Sequence, residues 1–387
     1  MTIASTRRAS TTSVESSPVV PIAKQNYVKS VAFTGQMGFR KELNQRVDAF
    51  VKANGLKTRD IPAMYAKSIT VLLWWIASYA LIIVGGINGW HWGVLLALST
   101  SFGLAAAGIG FNIMHDANHN GVSNHPLVNR IMSYSCELVG LSTFIWRQQH
   151  NVWHHTYTNI AGLDEGLETD GWLRSSPKDF WKPKFRFQHL YAPLVYAMAG
   201  FGLIFLRNYT VYFTGKSSEH FVYPKMTRQE KVLFWIGRAF NMMVYVAVPL
   251  MVFPWWQVLI GFAIVAGIAG FVMAHILMLA HISDELDFVE PVGEPLHVEN
   301  EWAIHQVVTT MNFAPKSKLL NWYVGGLNFQ IEHHLYPQMC HMMYPKITHI
   351  VQQTCNEYGV RYTSNPSLWN ALGEHYRSLR EFGRQPA

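Results

Sequence analysis

Cysteine and charge are both scarce in this chain of 387 residues. It has three cysteines, at positions 136, 340 and 355, and none of them forms a C-x-x-C pair. This argues against a disulfide-built secreted scaffold and against a cysteine zinc site. Charged residues make up 14% of the chain, against about 25% in soluble domains. The apolar and aromatic residues that replace them argue against a disordered protein and favour a membrane protein.

Nucleic-acid signatures are also missing, although the net charge is +7. The chain has no basic run interleaved with aromatics and no zinc-finger spacing, so we expect no nucleic-acid partner. Residues 1–25 are rich in Ser, Thr and Pro and lack the apolar core of a secretory signal. We expect a disordered tail there, followed by a cytoplasmic N-terminal segment at 26–66 and a C-terminal tail at 363–387.

Four apolar stretches are long enough to cross a membrane, which takes about 20 residues. They lie near residues 69–88, 93–114, 232–253 and 256–280, and two short links without Lys or Arg join them into two hairpins. Tryptophans flank both links, as at a membrane interface. Lys and Arg occupy the long segments instead, which predicts that both termini and the long loops face the cytoplasm.

Two further apolar stretches are interpreted differently. Leu127–Trp146 contains Arg130 and Glu137 and is typical of an amphipathic, interfacial segment. Leu190–Leu206 is short and contains Pro193. If it crossed the membrane, the histidine clusters before and after it would face opposite compartments. We therefore expect it to be interfacial or re-entrant, and the protein to cross the membrane four times.

Histidine, whose side chain can bind metal, is abundant, with 18 in the chain. Seven of them fall in three short strings, and two of these strings end in a His-His pair. Residues at i and i+4 share a helix face, so two imidazoles can point at one metal ion. One such pair is common by chance, but three strings together predict a site for more than one metal. Imidazole suits Fe, Zn, Cu and Ni alike. The strings are HDANH, QHNVWHH and QIEHH, with histidines at 115, 119, 150, 154, 155, 333 and 334.

These three strings, between and after two membrane hairpins, resemble the membrane fatty acid desaturases. The glutamine that opens QIEHH resembles the front-end type, which places a double bond between an existing one and the carboxyl end. The resemblance covers residues 65–362 and includes Glu301–Phe313 and Gly325–Phe329. It implies an all-α membrane protein with four transmembrane helices in two hairpins. It also implies a cytoplasmic helical cap that carries a histidine-rich di-metal site, within a desaturase domain at 67–362.

The resemblance further implies a non-haem di-iron centre with O2 as co-substrate. His281, just past the last span, matches an additional ligand position, and His275 is its competitor. The two lie on different helix faces. Gln330 stands where a histidine often lies. The implied metal ligands are His115, His119, His150, His154, His155, His281, Gln330, His333 and His334.

The implied reaction is the oxygen-dependent introduction of a cis double bond into a fatty acyl chain, linked either to lipid or to CoA. The sequence lacks the His-Pro-Gly-Gly mark of a fused haem domain. We therefore expect an external electron donor such as a ferredoxin with its reductase, as in bacterial and cyanobacterial enzymes. The expected location is a bacterial inner membrane, with membrane lipid around the spans and the site facing the cytoplasm. The alternatives are a histidine-type membrane hydroxylase and, more remotely, a metal-binding transporter or receptor.

Acidic and amide side chains near the strings are candidates for orienting the imidazoles. The tryptophans at 146, 153 and 302 lie near the clusters in sequence and are expected to pack or anchor at the interface. The polar candidates are Asp116, Glu332, Asp164, Glu165, Asp170, Asn159, Asn312 and Asn328.

Overall fold

The computed structural model describes residues 31–169 and 171–385, which are mostly helical. The expected tail at 1–25 and the candidate Asp170 lie outside the described residues. The first half of the described chain begins with a short strand and contains ten α-helices. These elements are β1 Ala32–Phe33, α1 Phe39–Ala53, α2 Pro62–Ile87, α3 Trp92–Ile109, α4 His115–Asn118, α5 Pro126–Ser133, α6 Ser135–Leu138, α7 Thr143–Arg147, α8 His155–Tyr157, α9 Gln188–Phe201 and α10 Asn208–Thr214.

The second half contains the remaining helices and three more short strands. The strands pair in parallel, β1 with β2 and β3 with β4. The elements are α11 Arg228–Met242, α12 Val248–Leu250, α13 Trp255–Leu279, β2 His297–Val298, α14 Trp302–Val308, β3 Asn312–Phe313, α15 Lys318–Tyr323, α16 Gln330–Leu335, α17 Tyr344–Glu357, β4 Ser364–Asn365 and α18 Leu368–Phe382.

Wider π-helical turns join several of these helices into longer ones. Gly110–Met114 joins α3 to α4, and Gln148–His154 joins α7 to α8. Such turns occur frequently at functional sites, and here they lead into the first string and hold most of the second. Similar turns at Gly202–Arg207 and Met243–Ala247 join α9 to α10 and α11 to α12.

Five of the resulting helices are long and apolar enough to cross a membrane. Four of them overlap the four predicted spans, which end within three residues of the helix ends or inside the helices. The other contains the stretch Leu190–Leu206 that we expected to be interfacial or re-entrant. The five helices are Pro62–Ile87, Trp92–Asn118, Pro183–Thr214, Arg228–Leu250 and Trp255–Leu279.

Helix α13 lies at the centre of the apolar half and packs closely on two neighbours. A Cβ atom on Gly270 would lie 2.6 Å from the backbone nitrogen of Gly200 in α9. A Cβ atom on Gly103 in α3 would lie 2.9 Å from the carbonyl oxygen of Val265. Glycine therefore allows backbone-to-backbone approach on both sides of α13, as small residues do between membrane helices.

The polar half is a layer of short helices that brings distant segments together. Helix α1 packs on α14, α16 and α17 through an apolar core that includes Phe39, Leu43, Val307 and Ile347. Helix α18, inside the segment expected to be a tail, is amphipathic and buries Ala371, His375 and Leu379 among other residues of one face. The C-terminal segment is thus packed on the rest of the molecule.

Candidate metal centre

The three histidine strings converge in the structure. Four imidazoles form one group of closely spaced ring nitrogens: His115, His119, His150 and His333. A second group consists of His154, His281 and His334. His155 lies close to His333 and His334, and its Nε2 is 3.2 Å from Nε2 of His150. The structure therefore places eight imidazoles, all buried, side by side.

Helix geometry explains how the first and third strings contribute their rings to the cluster. The rings of His115 and His119 share one helix face, with centroids 4.9 Å apart. His333 and His334 are neighbours in α16, and their rings lie at 84° to each other. Consecutive helix residues point in different directions, so this pair contributes one ring to each group.

His281, and not His275, is the additional histidine in the cluster. Its ring lies 4.7 Å from that of His154 and 5.1 Å from that of His334, centroid to centroid. His275 is engaged elsewhere, with Nδ1 2.8 Å from the Phe271 carbonyl and Nε2 2.7 Å from the Tyr376 hydroxyl.

Gln330 lies in the cluster beside the second group. Its Nε2 is 3.0 Å from Nε2 of His281 and 3.4 Å from Nε2 of His334. Its Oε1 is buried without a hydrogen-bond partner among the described residues. The amide oxygen thus lies where it would add an oxygen donor to the three imidazoles of the second group.

Three imidazoles are held by hydrogen bonds at Nδ1, on the side of the ring that faces away from the centre of the cluster. His154 donates to Asp164 over 2.9 Å, and His334 donates to Oε1 of Gln306 over 2.7 Å. His333 Nδ1 lies 3.2 Å from the Tyr344 hydroxyl, which itself donates to a carbonyl. A proton on Nδ1 leaves the lone pair of Nε2 free on the inner side, which is the arrangement of metal-binding histidines. Sequence reasoning found Asp164 but missed Gln306 and Tyr344. Gln306 lies 28 residues before His334 in the chain, and Tyr344, 11 residues after His333, was outside a search confined to acidic and amide side chains.

Asp116 lies behind His115 and begins a buried hydrogen-bonded chain. Its carboxylate is 3.7 Å from Nδ1 of His115 and accepts from Nδ1 of His341 over 2.8 Å. Nε2 of His341 in turn accepts from the buried ammonium of Lys67 over 2.8 Å. Both nitrogens of His341 are therefore engaged, and the set formed by Asp116, His341 and Cys340 is a positioning chain rather than a second metal site.

The electrostatics of the cluster favour neutral imidazoles. Burial, reinforced by the neighbouring rings, lowers the pKa of His150, His155, His333 and His334 well below the usual range. The same holds for His119 and His281. Within the described part of the chain, Nε2 of His119 and Nε2 of His333 are buried and have no hydrogen-bond partner. Unpaired buried nitrogens are costly, so neutral, converging donors of this kind fit metal ions.

The remaining acidic candidates have distinct partners. Glu332 accepts from Asn312 over 2.7 Å and from Tyr362 over 2.8 Å, and burial raises its pKa. Glu165 accepts from Tyr223 over 2.7 Å and from the hydroxyl of Ser217. These two carboxylates tie loops to the layer around the cluster.

The side chains of the two remaining amide candidates donate hydrogen bonds to backbone carbonyls. Asn159 donates to the carbonyl of His281 over 3.0 Å, and its own backbone N–H donates to Asp164. Asn328 donates to the Ala314 carbonyl over 3.4 Å. Asn159 thus connects the second string to the segment that carries His281.

The three tryptophans differ in their relation to the cluster. Trp146 stacks on His150 with ring centroids 4.3 Å apart and also meets His115 and His119 edge-on. Trp302 donates to the carbonyl of His155 over 3.3 Å. Trp153 packs instead on Phe221 and Tyr223. Trp146 therefore forms one wall of the site.

Long apolar helices joined to a polar layer with eight buried imidazoles define a membrane protein with a histidine cluster that could bind metal. The model of the family "Fatty acid desaturase" matches residues 90–366. The chain belongs to this family, and it is an oxidoreductase.

Its curated relatives carry names of lipid desaturases. The sn-1 linoleoyl-lipid 6-desaturase of Synechocystis sp. is 36% identical over 92% of this chain and 98% of its own length. The enzyme of the same name from Arthrospira platensis is also 36% identical, over 92% of this chain and 95% of its own. The acyl-lipid (8-3)-desaturase of Physcomitrium patens is 35% identical over 88% of this chain and 71% of its own.

Proposed function

We propose that this protein is a front-end acyl-lipid desaturase with a di-iron centre. The convergence of eight buried imidazoles, seven of them in two groups and His155 beside both, carries the proposal. The names of the relatives support a lipid-linked acyl chain as substrate. The donor set fits two ions, because seven imidazoles in two groups exceed the four ligands of one tetrahedral centre.

The first ion would be held by His115, His119, His150 and His333. The second would be held by His154, His281 and His334, with Gln330 beside them, and His155 lies where it could serve the first or the second. Bound iron would supply the redox chemistry by which O2 and two electrons remove two hydrogens from neighbouring methylenes. The balance is one acyl –CH2–CH2– unit, O2, two electrons and two protons giving –CH=CH– and two waters.

The chain's own residues contribute orientation and exclusion of water. Asp164, Gln306 and Tyr344 fix the tautomer and angle of the rings that they contact. Burial lowers the pKa of six of the imidazoles, which keeps them neutral and therefore able to bind metal; these are the rings at 119, 150, 155, 281, 333 and 334. Trp146 covers His150 on one side and limits the approach of other molecules to the rings.

We further propose four membrane crossings with a cytoplasmic layer that holds the site, the Lys- and Arg-rich segments lying on that side. The ends of the helix Pro183–Thr214 support this topology. Near its start, Gln188 donates to the carbonyl of Leu379 in α18. Just after its end, Ser217 and Tyr223 donate to Glu165. Since both ends contact the layer around the cluster, this helix would dip into the apolar half and return.

The test is expression of the full chain in a host supplied with defined fatty acids. Mass spectrometry of the extracted lipids would locate any new double bond. We expect a new cis double bond on the carboxyl side of an existing one. A hydroxylated product would instead assign the chain to the hydroxylases. If the protein binds two irons but forms no product, desaturation of the supplied acyl chains is refuted.

Substitution of a single imidazole connects the product to the site. His154→Ala should abolish product formation while the protein still inserts into the membrane. His297→Ala is the matched control, because His297 lies in β2, away from the cluster, and its ring contacts the Pro295 carbonyl. Full activity of His154→Ala would contradict the proposed ligand set.

A further inference from the structure

Helix α18 lies beyond residues 90–366, the part of the chain that the family model covers. Its buried face includes Glu374, His375 and Ser378, three polar residues at helical spacing. Buried polar groups need partners, and each of the three has a partner in one short segment. That segment is the turn that comes directly after His281.

Each residue of this turn is bound to α18. The Ile282 carbonyl lies 3.2 Å from Nδ1 of His375, which must donate. The Ser283 hydroxyl donates to Glu374. The backbone N–H of Asp284 donates to Oγ of Ser378 over 2.9 Å, and this hydroxyl donates back to the Asp284 carboxylate over 3.1 Å.

Partners on α18's other sides hold these groups in place. The Tyr196 hydroxyl lies 2.8 Å from Nε2 of His375 and donates to it, because Nδ1 carries the proton. The second oxygen of Glu374 accepts from Asn365 over 2.6 Å, at the strand that precedes the helix. The turn after His281 is therefore bound to a preorganised surface and not to loose side chains.

The position of His281 depends on the residues after it in the chain, because α13 ends at Leu279. The last turn of a helix frays unless its backbone is bound. On the other side, Asn159 donates to the His281 carbonyl over 3.0 Å. The backbone at His281 is thus held between Asn159 and the residues of α18.

We propose that Glu374, His375 and Ser378 are positioning residues that hold His281 in the second group of imidazoles. The inference rests on the proposed metal site and assigns a role in it to an element outside the matched family region. Loss of these contacts would let the His281 ring move away from His154 and His334. Metal affinity at the second group would fall. The first group would keep its ion, because its four histidines have their described hydrogen bonds and ring contacts with residues outside α18.

The experiment titrates metal-depleted, detergent-solubilised full chain with Fe²⁺ under anaerobic conditions and measures both binding steps. The variants are Ser378→Ala and Glu374→Ala, with Ser378→Thr and Glu374→Gln to restore the hydroxyl and the acceptor oxygen. We expect the alanine variants to bind the first equivalent as the wild type does. The second equivalent should bind about 10–100-fold more weakly, the range for residues that support metal ligands, and the conservative variants should recover it.

Tyr376→Phe is the matched control. It removes a partly buried hydrogen bond between α18 and His275 but none of the described hydrogen bonds to the turn after His281. If Tyr376→Phe weakens the second equivalent as much as Ser378→Ala does, α18 acts through general stability and the inference fails. Unchanged binding of both equivalents by the alanine variants would also overturn it.

His281→Ala separates this inference from the proposed function. If His281→Ala loses the second iron and Ser378→Ala does not, the metal site stands and the role of α18 is refuted. If His281→Ala binds two irons with wild-type affinity, the proposed ligand set itself is wrong.

Discussion

At the level of single residues, the imidazoles were recognisable from the sequence, but only some of the side chains that support them were. The spacing of His115 and His119 indicates a shared helix face. Gln306 and Lys67, by contrast, reach the histidines from segments more than 20 residues away. Their sequence surroundings are ordinary for a helix, so only the folded chain reveals what they contact.

Asp164 gives a direct test of how a support acts. Asp164→Asn should lower iron content and activity, with affinity at the second group falling about 10–100-fold. An amide can donate an N–H to Nδ1 of His154, which would favour the tautomer whose Nε2 carries the proton. Iron analysis of the purified protein measures the loss. Asp287→Asn, at an exposed pair with Arg361, should change nothing, and an equal loss there would contradict the tautomer argument.

His375 predicts a dependence of stability on pH. Burial lowers its pKa to about 3, whereas an unfolded histidine titrates near 6.5. The unfolded state therefore binds a proton below pH ~6.5 that the folded state does not bind until about pH 3. The stability contribution is complete above pH ~6.5 and falls by about 1.4 kcal/mol per pH unit below it. His275 faces the same region, and its contribution cancels when the wild type is compared with a variant at His375 alone.

Thermal unfolding of the iron-loaded protein between pH 7.5 and 5.5 measures the contribution of His375 to the pH dependence of stability. The wild type should lose more stability on acidification than His375→Gln, which has no titrating group at this position. Parallel curves for the two proteins would show that His375 takes up a proton in the folded state as readily as in the unfolded state.

At the level of elements, the packing around α13 depends on glycine. The sequence predicted an apolar helix here but not which face meets α9. Gly270→Ala would place a methyl group 2.6 Å from the backbone of Gly200, so the helices must separate at a cost of about 1–3 kcal/mol. Gly267→Ala, on the same helix with open space around it, should be neutral or slightly stabilising. Thermal midpoints in detergent compare the two, and equal midpoints would contradict the close approach.

The segment before the second string is held by a buried ion pair. Arg238 of α11 lies 3.1 Å from the Glu137 carboxylate and donates to the carbonyls of Gly140 and Leu141, each over 2.7 Å. Arg238→Gln leaves the carboxylate without its cation and should cost about 3–5 kcal/mol. Adding Glu137→Gln should restore part of the loss, with a coupling of about 1–3 kcal/mol in a double-mutant cycle. Strict additivity of the two substitutions would show that the pair does not act as a unit.

The elements also mark the limit of sequence reasoning. The four predicted spans overlap long helices of the structure almost completely, because an uninterrupted apolar run of about 20 residues is typical of a membrane helix. Residues 368–382, expected to be part of a tail, form a packed helix instead. Their hydrophobic residues are spaced along one face, but their polar partners in residues 282–284 are fixed only by the fold.

At the level of the whole molecule, the proposed topology can be tested by labelling. The three native cysteines are buried, so an introduced cysteine would react with little background. A membrane-impermeant maleimide added to intact cells should label His91→Cys, in the link between α2 and α3. Ser218→Cys and Asn356→Cys should react only after the membrane is opened. Labelling of Ser218→Cys in intact cells would mean that the helix Pro183–Thr214 crosses the membrane.

The order of the ligands along the chain sets when the centre can form during biosynthesis. The first group contains three histidines from residues 115–150 and one from residue 333, and the second requires His334. Neither group is complete until the chain has been made as far as residues 333 and 334. In the proposed di-iron centre, iron would therefore bind only after these residues are in place, and a chain halted before its third histidine string would lack a complete set of donors.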